Sequence, residues 1–403
     1  MTNMCLYFQV HQPFRLKQNY SIFDIGKNND YFDDEKNKQV MQKIANKCYL
    51  PANKILLDLI KKYDGRFKVS FSITGTALEQ FELYAPEVLE SFKELAYTGC
   101  VEFLSETYHH SLAFLYDEEE FAKQVALHQE KIRDLFKARP IVFRNTELIY
   151  NNELAFYVEK MGYKAVLAEG ADHVLGWKSP NFVYKPKTAN IKLLLKNYRL
   201  SDDIAFRFSN KQWEGYPLTA RKYANWIAPI TGDSVNLFID YETFGEHQWQ
   251  DTGIFNFLKQ LPYECFKRNI GFHTPSDLVN IVPKDELDIN NSISWADIER
   301  DLSAWTGNKM QNAALAELYR IKNQVFATND KELIKNWRKL TTSDHFYYMC
   351  TKWFNDGDVH KYFNPYETPY DCFIAFMNVL EDIKLKIGER PTIFSSLKRR
   401  IFA

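Results

Sequence analysis

Short runs rich in strand-forming residues recur from Cys5 to Tyr241, and longer stretches with helical spacing separate them. The runs are Cys5 to Val10, Val69 to Thr74, Val101 to Leu104, Ile141 to Thr146, Ala165 to Ala168, Leu193 to Tyr198 and Val235 to Tyr241, which predicts roughly seven strands. Between them Val40 and Ile44, Ile55 and Leu59, Leu78 and Phe81, and Val88, Phe92 and Leu95 each hold one helical face. Such alternation predicts an α/β fold whose parallel sheet is covered by helices, either closed as a barrel or laid out as a doubly wound layer.

After Pro283 the strand pattern stops, and Lys284 to Asn291 reads as an acidic, asparagine-rich connector. Beyond it Ala314, Leu318, Ile321 and Val325 share one face, as do Leu333, Trp337 and Leu340, and then Phe373, Phe376, Leu380, Ile383 and Ile387. The expected organisation is a strand-rich domain over 1–283 and a helical domain over 284–403. No internal repeat or low-complexity tract interrupts it, and Lys27 to Lys38 reads as a solvated surface loop.

Composition narrows the partners. Lys plus Arg total 51 against 52 Asp plus Glu, a formal charge of -1, so there is no electrostatic footprint for nucleic acid or an anionic membrane and a neutral partner is expected. Aromatic residues make up 16% of the chain, with 31 Phe, 24 Tyr and 8 Trp, enough to supply stacking surfaces as well as core. The start carries no basic segment ahead of a long apolar run, and no stretch is apolar enough to span a membrane, so a cytoplasmic protein is expected. Cys5, Cys48, Cys100, Cys265, Cys350 and Cys372 are scattered without any CxxC, which predicts reduced core residues and no zinc or disulfide framework.

Chemistry gathers at strand ends. The first strand ends in His11-Gln12-Pro13, the third runs from Gly99 through Glu102 and Glu106 to His109-His110, and the fourth delivers Arg144-Asn145-Thr146-Glu147. The run Phe238-Ile-Asp240-Tyr-Glu242-Thr-Phe-Gly-Glu246-His247-Gln-Trp249 leaves an apolar strand for a loop crowded with acids. The carboxyl ends of parallel strands share one face, so residues far apart in sequence meet around one pocket. Acids beside aromatic rings there suit a polar ligand that stacks.

In order and spacing these segments resemble the motifs of the family 57 glycoside hydrolases, retaining enzymes acting on α-glucans that include α-amylases and 4-α-glucanotransferases. His11-Gln12-Pro13 resembles the opening motif and Gly99 to His110 the second. Phe143 to Glu147 is similar to the third, which carries the nucleophile. Asp240-Tyr-Glu242-Thr-Phe-Gly245 is similar to the fourth, whose Asp is the general acid/base, and Ser294 to Asn308 to the fifth. Arg144-Asn145-Thr146 departs from the pattern, since a tryptophan often precedes the nucleophile there.

The resemblance implies a distorted (β/α)7 barrel followed by a C-terminal helical region that helps form the substrate cleft. It also implies Glu147 as nucleophile and Asp240 as general acid/base in α-glucan hydrolysis. In that double displacement the two carboxyls lie roughly 5 Å apart and the acid's pKa is raised. His11, Gln12, Glu102, His110, Arg144, Glu242, His247 and the fifth-motif acids Asp297 and Asp301 are candidates for grasping hydroxyls or orienting the acids. Trp249, Trp295 and Trp305 are candidate stacking walls, with Trp305 equally suited to a core. His109 and Glu106 fit surface positions as well, and His173, His273, His345 and His360 fit structural ones. No cofactor is expected. A metal-dependent barrel hydrolase, with ligands drawn from His11, His109, His110 and His247, and a non-catalytic glucan-binding protein are the alternatives; no HExxH or comparable motif supports the former.

Overall fold

The computed structural model describes residues 2–27, 30–352 and 359–389. The chain divides into two compact units, the first comprising Met1–Gln12, Lys38–Tyr108 and Lys123–Trp295 and the second Pro13–Asn37, His109–Ala122 and Ala296–Ala403.

The strands lie in the first unit: β1 Thr2–Val10, β2 Val69–Ile73, β3 Val101–Phe103, β4 Val142–Arg144, β5 Ala165–Glu169, β6 Lys185–Pro186, β7 Lys192–Lys196, β8 Val235–Asp240, β9 Ile270–His273 and β10 Glu286–Leu287. One parallel ladder runs β3-β2-β1-β8 and a second runs β4-β5-β7. Two seams join them. At the first, Ser105 and Phe143 bridge in parallel, with Ser105 N donating to Val142 O over 3.0 Å and Arg144 N to Ser105 O over 2.8 Å. At the second, Asn197 N donates to Asn236 O over 2.8 Å and Asn236 Nδ2 to Leu195 O over 2.9 Å. Seven parallel strands thereby close into a distorted (β/α)7 barrel. β9 pairs with the first residues of β1, and β6 with β10 forms a two-residue ladder.

Alternation along each strand decides what faces the helices and what faces the barrel interior. Leu6, Phe8 and Val10 of β1, Val69, Phe71 and Ile73 of β2, and Val235, Leu237 and Ile239 of β8 pack with helical residues such as Leu56, Phe92 and Leu258. The inward set is a separate cluster of Tyr7, Leu104, Val142, Leu167, Leu194 and Phe238. Two residues further on, each of these strands carries a polar inward residue: Gln9, Glu106, Arg144, Glu169, Lys196 and Asp240. The interior is therefore apolar through its middle and polar at the carboxyl ends.

The seven barrel strands coincide with the seven sequence runs. β9 was not among them, being four residues long and buried only at alternate positions. The segment read as a connector, Lys284 to Asn291, belongs to the first unit: β10 lies in it, and Asn152 N donates to Ile289 O over 2.7 Å.

The second unit is helical over Ser303–Thr306, Lys309–Arg320, Lys322–Ala327, Lys331–Leu340, Ser343–Tyr347, Val359–Phe363 and Pro369–Lys386. Its core holds Trp337, whose Nε1 donates to Leu318 O over 2.9 Å, and the ion pairs Lys322–Asp117 at 2.7 Å and Arg338–Glu120 at 2.8 Å. The expected solvated loop at Lys27 to Lys38 is a correction: Tyr31 and Phe32 are buried, and Tyr31 OH donates to Asp382 over 2.5 Å. Lysines and asparagines flanking two aromatic residues made that stretch look more polar than its anchors are.

Candidate active site

The polar inward layer is wired together. Gln9 accepts from Tyr7 OH at Oε1 over 2.7 Å and donates through Nε2 to Glu106 over 3.1 Å, and Ser72 Oγ donates to the same carboxylate. Arg144 Nη1 lies 3.9 Å from Glu106 Oε2. Lys196 Nζ lies 3.6 Å from Glu169 and 3.4 Å from Asp202. Burial pushes the Tyr7 phenol up; the Arg144 charge opposes this, and the charges of Glu106 and Asp240 reinforce it. His128 accepts from Glu106 N at Nδ1 over 3.3 Å and faces Ile73 O with Nε2 over 2.9 Å, which fits a neutral ring protonated on Nε2; burial holds its pKa low.

Two carboxylates differ from the rest in exposure. Glu106 and Glu169 are fully buried, whereas Glu147 and Asp240 are half-buried. Asp240 closes β8 and is the register partner of Gln9. Glu147 lies in the turn just past β4 with φ 58° and ψ 23°, and Leu148 follows with φ 52°. A left-handed backbone at a residue bearing a Cβ costs on the order of 1–3 kcal/mol, persists only where its surroundings enforce it, and clusters at functional sites. Enforcement comes from Trp295, whose backbone N donates to Glu147 O over 3.2 Å while its indole Nε1 donates to Glu147 Oε2 over 2.8 Å.

The loop leaving β8 folds back on itself. Gly245, at φ 117°, donates to Gln248 O over 2.9 Å, and a Cβ there would collide with the Lys47 carbonyl, so only glycine fits. Glu242 is buried, accepts from Tyr49 OH, and lies 3.4 Å from Gln12 Nε2. Burial, then the Asp240 charge, raises its pKa to about 8, so it is predominantly protonated at neutral pH. Burial lowers the His247 pKa to about 4. Trp249 is exposed beneath Lys47, and Glu246 pairs with Lys43 and Lys47.

The remaining candidates are spread more widely. His11 Nδ1 is 2.9 Å from Thr74 Oγ1, the residue that caps the helix Gly75–Tyr84. Glu102 lies opposite Ser70, four residues before Glu106 of the polar layer, and both of its oxygens accept from Ser276. His110, Asp297, Asp301 and Trp305 belong to the second unit. There the His110 carbonyl accepts from Ser343 N over 2.9 Å, and Trp305 is core. Asp297 pairs with His360 at 2.9 Å and Lys352 at 3.2 Å, while Asp301 is exposed and accepts from Ser303 N over 2.8 Å. His360, read as structural, thus has an acid partner.

The structure brings Gln12 to Glu242, Glu242 near Asp240, and Arg144 and Glu147 to Trp295. It adds Gln9, Glu169 and Lys196, which were not singled out as site residues from the sequence, and it corrects the surface reading of Glu106 and His109, both of which are buried. The signal was the alternation Tyr7/Gln9, Leu104/Glu106, Leu167/Glu169 and Leu194/Lys196, polar at the last inward position of each strand. Among the described residues no group of three or more His, Cys, Asp or Glu side chains is arranged to hold a metal ion.

A sequence model described as glycosyl hydrolase family 57 matches residues 5–293. A Methanocaldococcus jannaschii protein named "Putative alpha-amylase" is 43% identical over 95% of this chain and 84% of its own length. Among solved structures, a GH57 branching enzyme from Thermococcus kodakaraensis shares 13% identity over 99% of this chain and 94% of its own, with a TM-score of 0.65. A 4-alpha-glucanotransferase from Thermococcus litoralis shares 15% identity over 95% of this chain, with a TM-score of 0.59; this chain spans 59% of that one.

Proposed function

Because the chain belongs to glycosyl hydrolase family 57, we propose that it is a retaining α-glucan hydrolase of the α-amylase type in which Glu147 is the nucleophile and Asp240 the general acid/base. The observation that carries this reading is the pairing of exposure with position. At the carboxyl ends of strands otherwise lined by closed-off charges, Glu147 and Asp240 stay half-buried, and Glu147 is held in a strained backbone.

The chemistry follows from those two groups. Asp240 gives its proton to the glycosidic oxygen as that oxygen leaves C1, while Glu147 forms a bond to C1. Asp240, now a base, takes a proton from water, whose oxygen attacks C1 and releases Glu147. The protonated Glu242 adds no second negative charge beside Asp240 and offers Gln12 and Tyr49 a fixed partner. His11, Gln12, His247 and the exposed Trp249 are proposed to orient or stack sugar rings, whereas the candidate Arg144 is fully buried against Glu106 and the Trp295 ring and does not reach a sugar. In the second unit Asp297 and Trp305 are spent on an ion pair and on the core.

A 4-α-glucanotransferase would use the same intermediate and differ only in the acceptor. Incubation with maltooligosaccharides separates the two: net release of reducing ends supports hydrolysis, and redistributed chain lengths without new reducing ends support transfer. The described residues include no helix long and apolar enough to cross a membrane. We place the enzyme in the cytoplasm on its six free cysteines, and its near-zero net charge fits a neutral glucan and not nucleic acid.

A further inference from the structure

We infer that Trp295 is a positioning residue that holds one oxygen of the Glu147 carboxylate, and not a platform on which a glucose ring stacks; this rests on Glu147 being the nucleophile. Trp295 grips Glu147 twice, backbone to backbone at 3.2 Å and indole Nε1 to Oε2 at 2.8 Å. Its ring is already in use. The Arg144 guanidinium lies 4.9 Å from the ring centroid and the Lys196 ammonium 5.2 Å, and both side chains are buried. None of the three Arg144 nitrogens has a hydrogen-bond acceptor among the described residues, so its charge is met by Glu106 at 3.9 Å and by the indole face.

Cations over the indole hold the ring in place and withdraw electron density from it, which strengthens the N–H as a donor. That donor has two consequences. It favours the ionised carboxylate, keeping the nucleophile charged, and it fixes Oε2 so that Oε1 faces the anomeric carbon. When the bond between Oε1 and C1 breaks in the second step, negative charge returns to the carboxylate and the indole N–H stabilises it. Trp295 is only partly exposed, and a stacked glucose would compete with the two cations for its ring.

The test is Trp295→Phe, which keeps a ring for the cations and removes only the donor. Turnover number should fall about ten- to hundredfold, the usual worth of a hydrogen bond to a charged group, with KM on maltooligosaccharides within about twofold. The acidic limb of the kcat/KM profile should move up by about one pH unit, because the carboxylate loses its donor. A raised KM with kcat and the acidic limb unchanged overturns the inference and restores the stacking role. Should Trp295→Phe not fold, Arg144→Lys leaves the indole intact with a changed cation, and the same split of effects applies at smaller size. The reading beneath is checked separately by adding azide to Glu147→Gly with an activated aryl α-maltooligosaccharide. Rescue to the β-configured azide together with an unaffected Trp295→Phe overturns the inference alone, whereas absent rescue overturns the nucleophile assignment on which it stands.

Discussion

On the helix-facing side of the barrel, Leu6, Phe8 and Val10 of β1 and Val235, Leu237 and Ile239 of β8 stay apolar up to the carboxyl ends of their strands. On the inward side the apolar layer of Tyr7, Leu104, Val142, Leu167, Leu194 and Phe238 gives way within two residues to Gln9, Glu106, Arg144, Glu169, Lys196 and Asp240. The same strands therefore serve two purposes at alternate residues. Buried charges add little stability even when paired, because desolvation offsets their attraction. Six polar inward positions at one end are thus evidence of chemistry, while the outer face is where the fold gains its stability.

Changes on the two faces should separate activity from stability. The largest effect is expected inside: Glu147→Gln should lower turnover by about a thousandfold or more with an unchanged melting curve, since an amide cannot attack the anomeric carbon. Asp240→Asn should be nearly as damaging on natural glucans but least so on aryl glycosides with good leaving groups, where protonation matters little. Steady-state kinetics on both substrate types checks the pair, and equal losses of Asp240→Asn on all substrates would remove the acid role.

On the outer face the pattern should invert. Phe92, on the helix Pro86–Tyr97, is fully buried with its ring 5.3 Å from Phe71 and 5.8 Å from Phe81. Phe92→Ala should cost about 3–5 kcal/mol in denaturant unfolding, with kcat/KM of the folded fraction within about twofold of wild type.

Glu242 sharpens the comparison, since it is a buried acid in the turn leaving β8 whose charge the fold suppresses. Its pKa rises from an ordinary carboxyl value to about 8 on folding. Between those values the unfolded chain has lost the proton that the native state retains, so stability falls as pH climbs from about 5 to 8 and levels off above. Glu242→Gln should flatten that slope, by on the order of a few kcal/mol at pH 8, in urea unfolding at a series of pH values. An unchanged slope would mean that another group carries it.

How much of this was legible in the sequence follows from the same two faces. The barrel strands were readable because their outward residues are reliably apolar; Glu147 directly follows its run and Asp240 closes an apolar one, and the family resemblance singled out both. The burial of Glu106 was not readable, because the run was taken to end at Leu104 and the acid beyond it fitted a surface position, although the alternation continues inward for one more step. Lys196 fell inside a run read as buried, where a charge looks like an interruption, and Glu169 lay just past a run taken to end at Ala168. The second unit was legible only as helices after Pro283. Its other segments, Pro13–Asn37 and His109–Ala122, join it through long-range pairs such as Tyr31 with Asp382 and Lys322 with Asp117, which no local pattern announces.

The central claim, that Glu147 captures the sugar, is tested most directly by trapping the intermediate. A fluorinated α-glycosyl fluoride that forms the glycosyl-enzyme quickly and hydrolyses slowly should label the wild-type protein once, and peptide mass mapping should place the label on Glu147 with net retention at the anomeric carbon. A label on any other residue, or inverted product with no covalent adduct, would contradict the account.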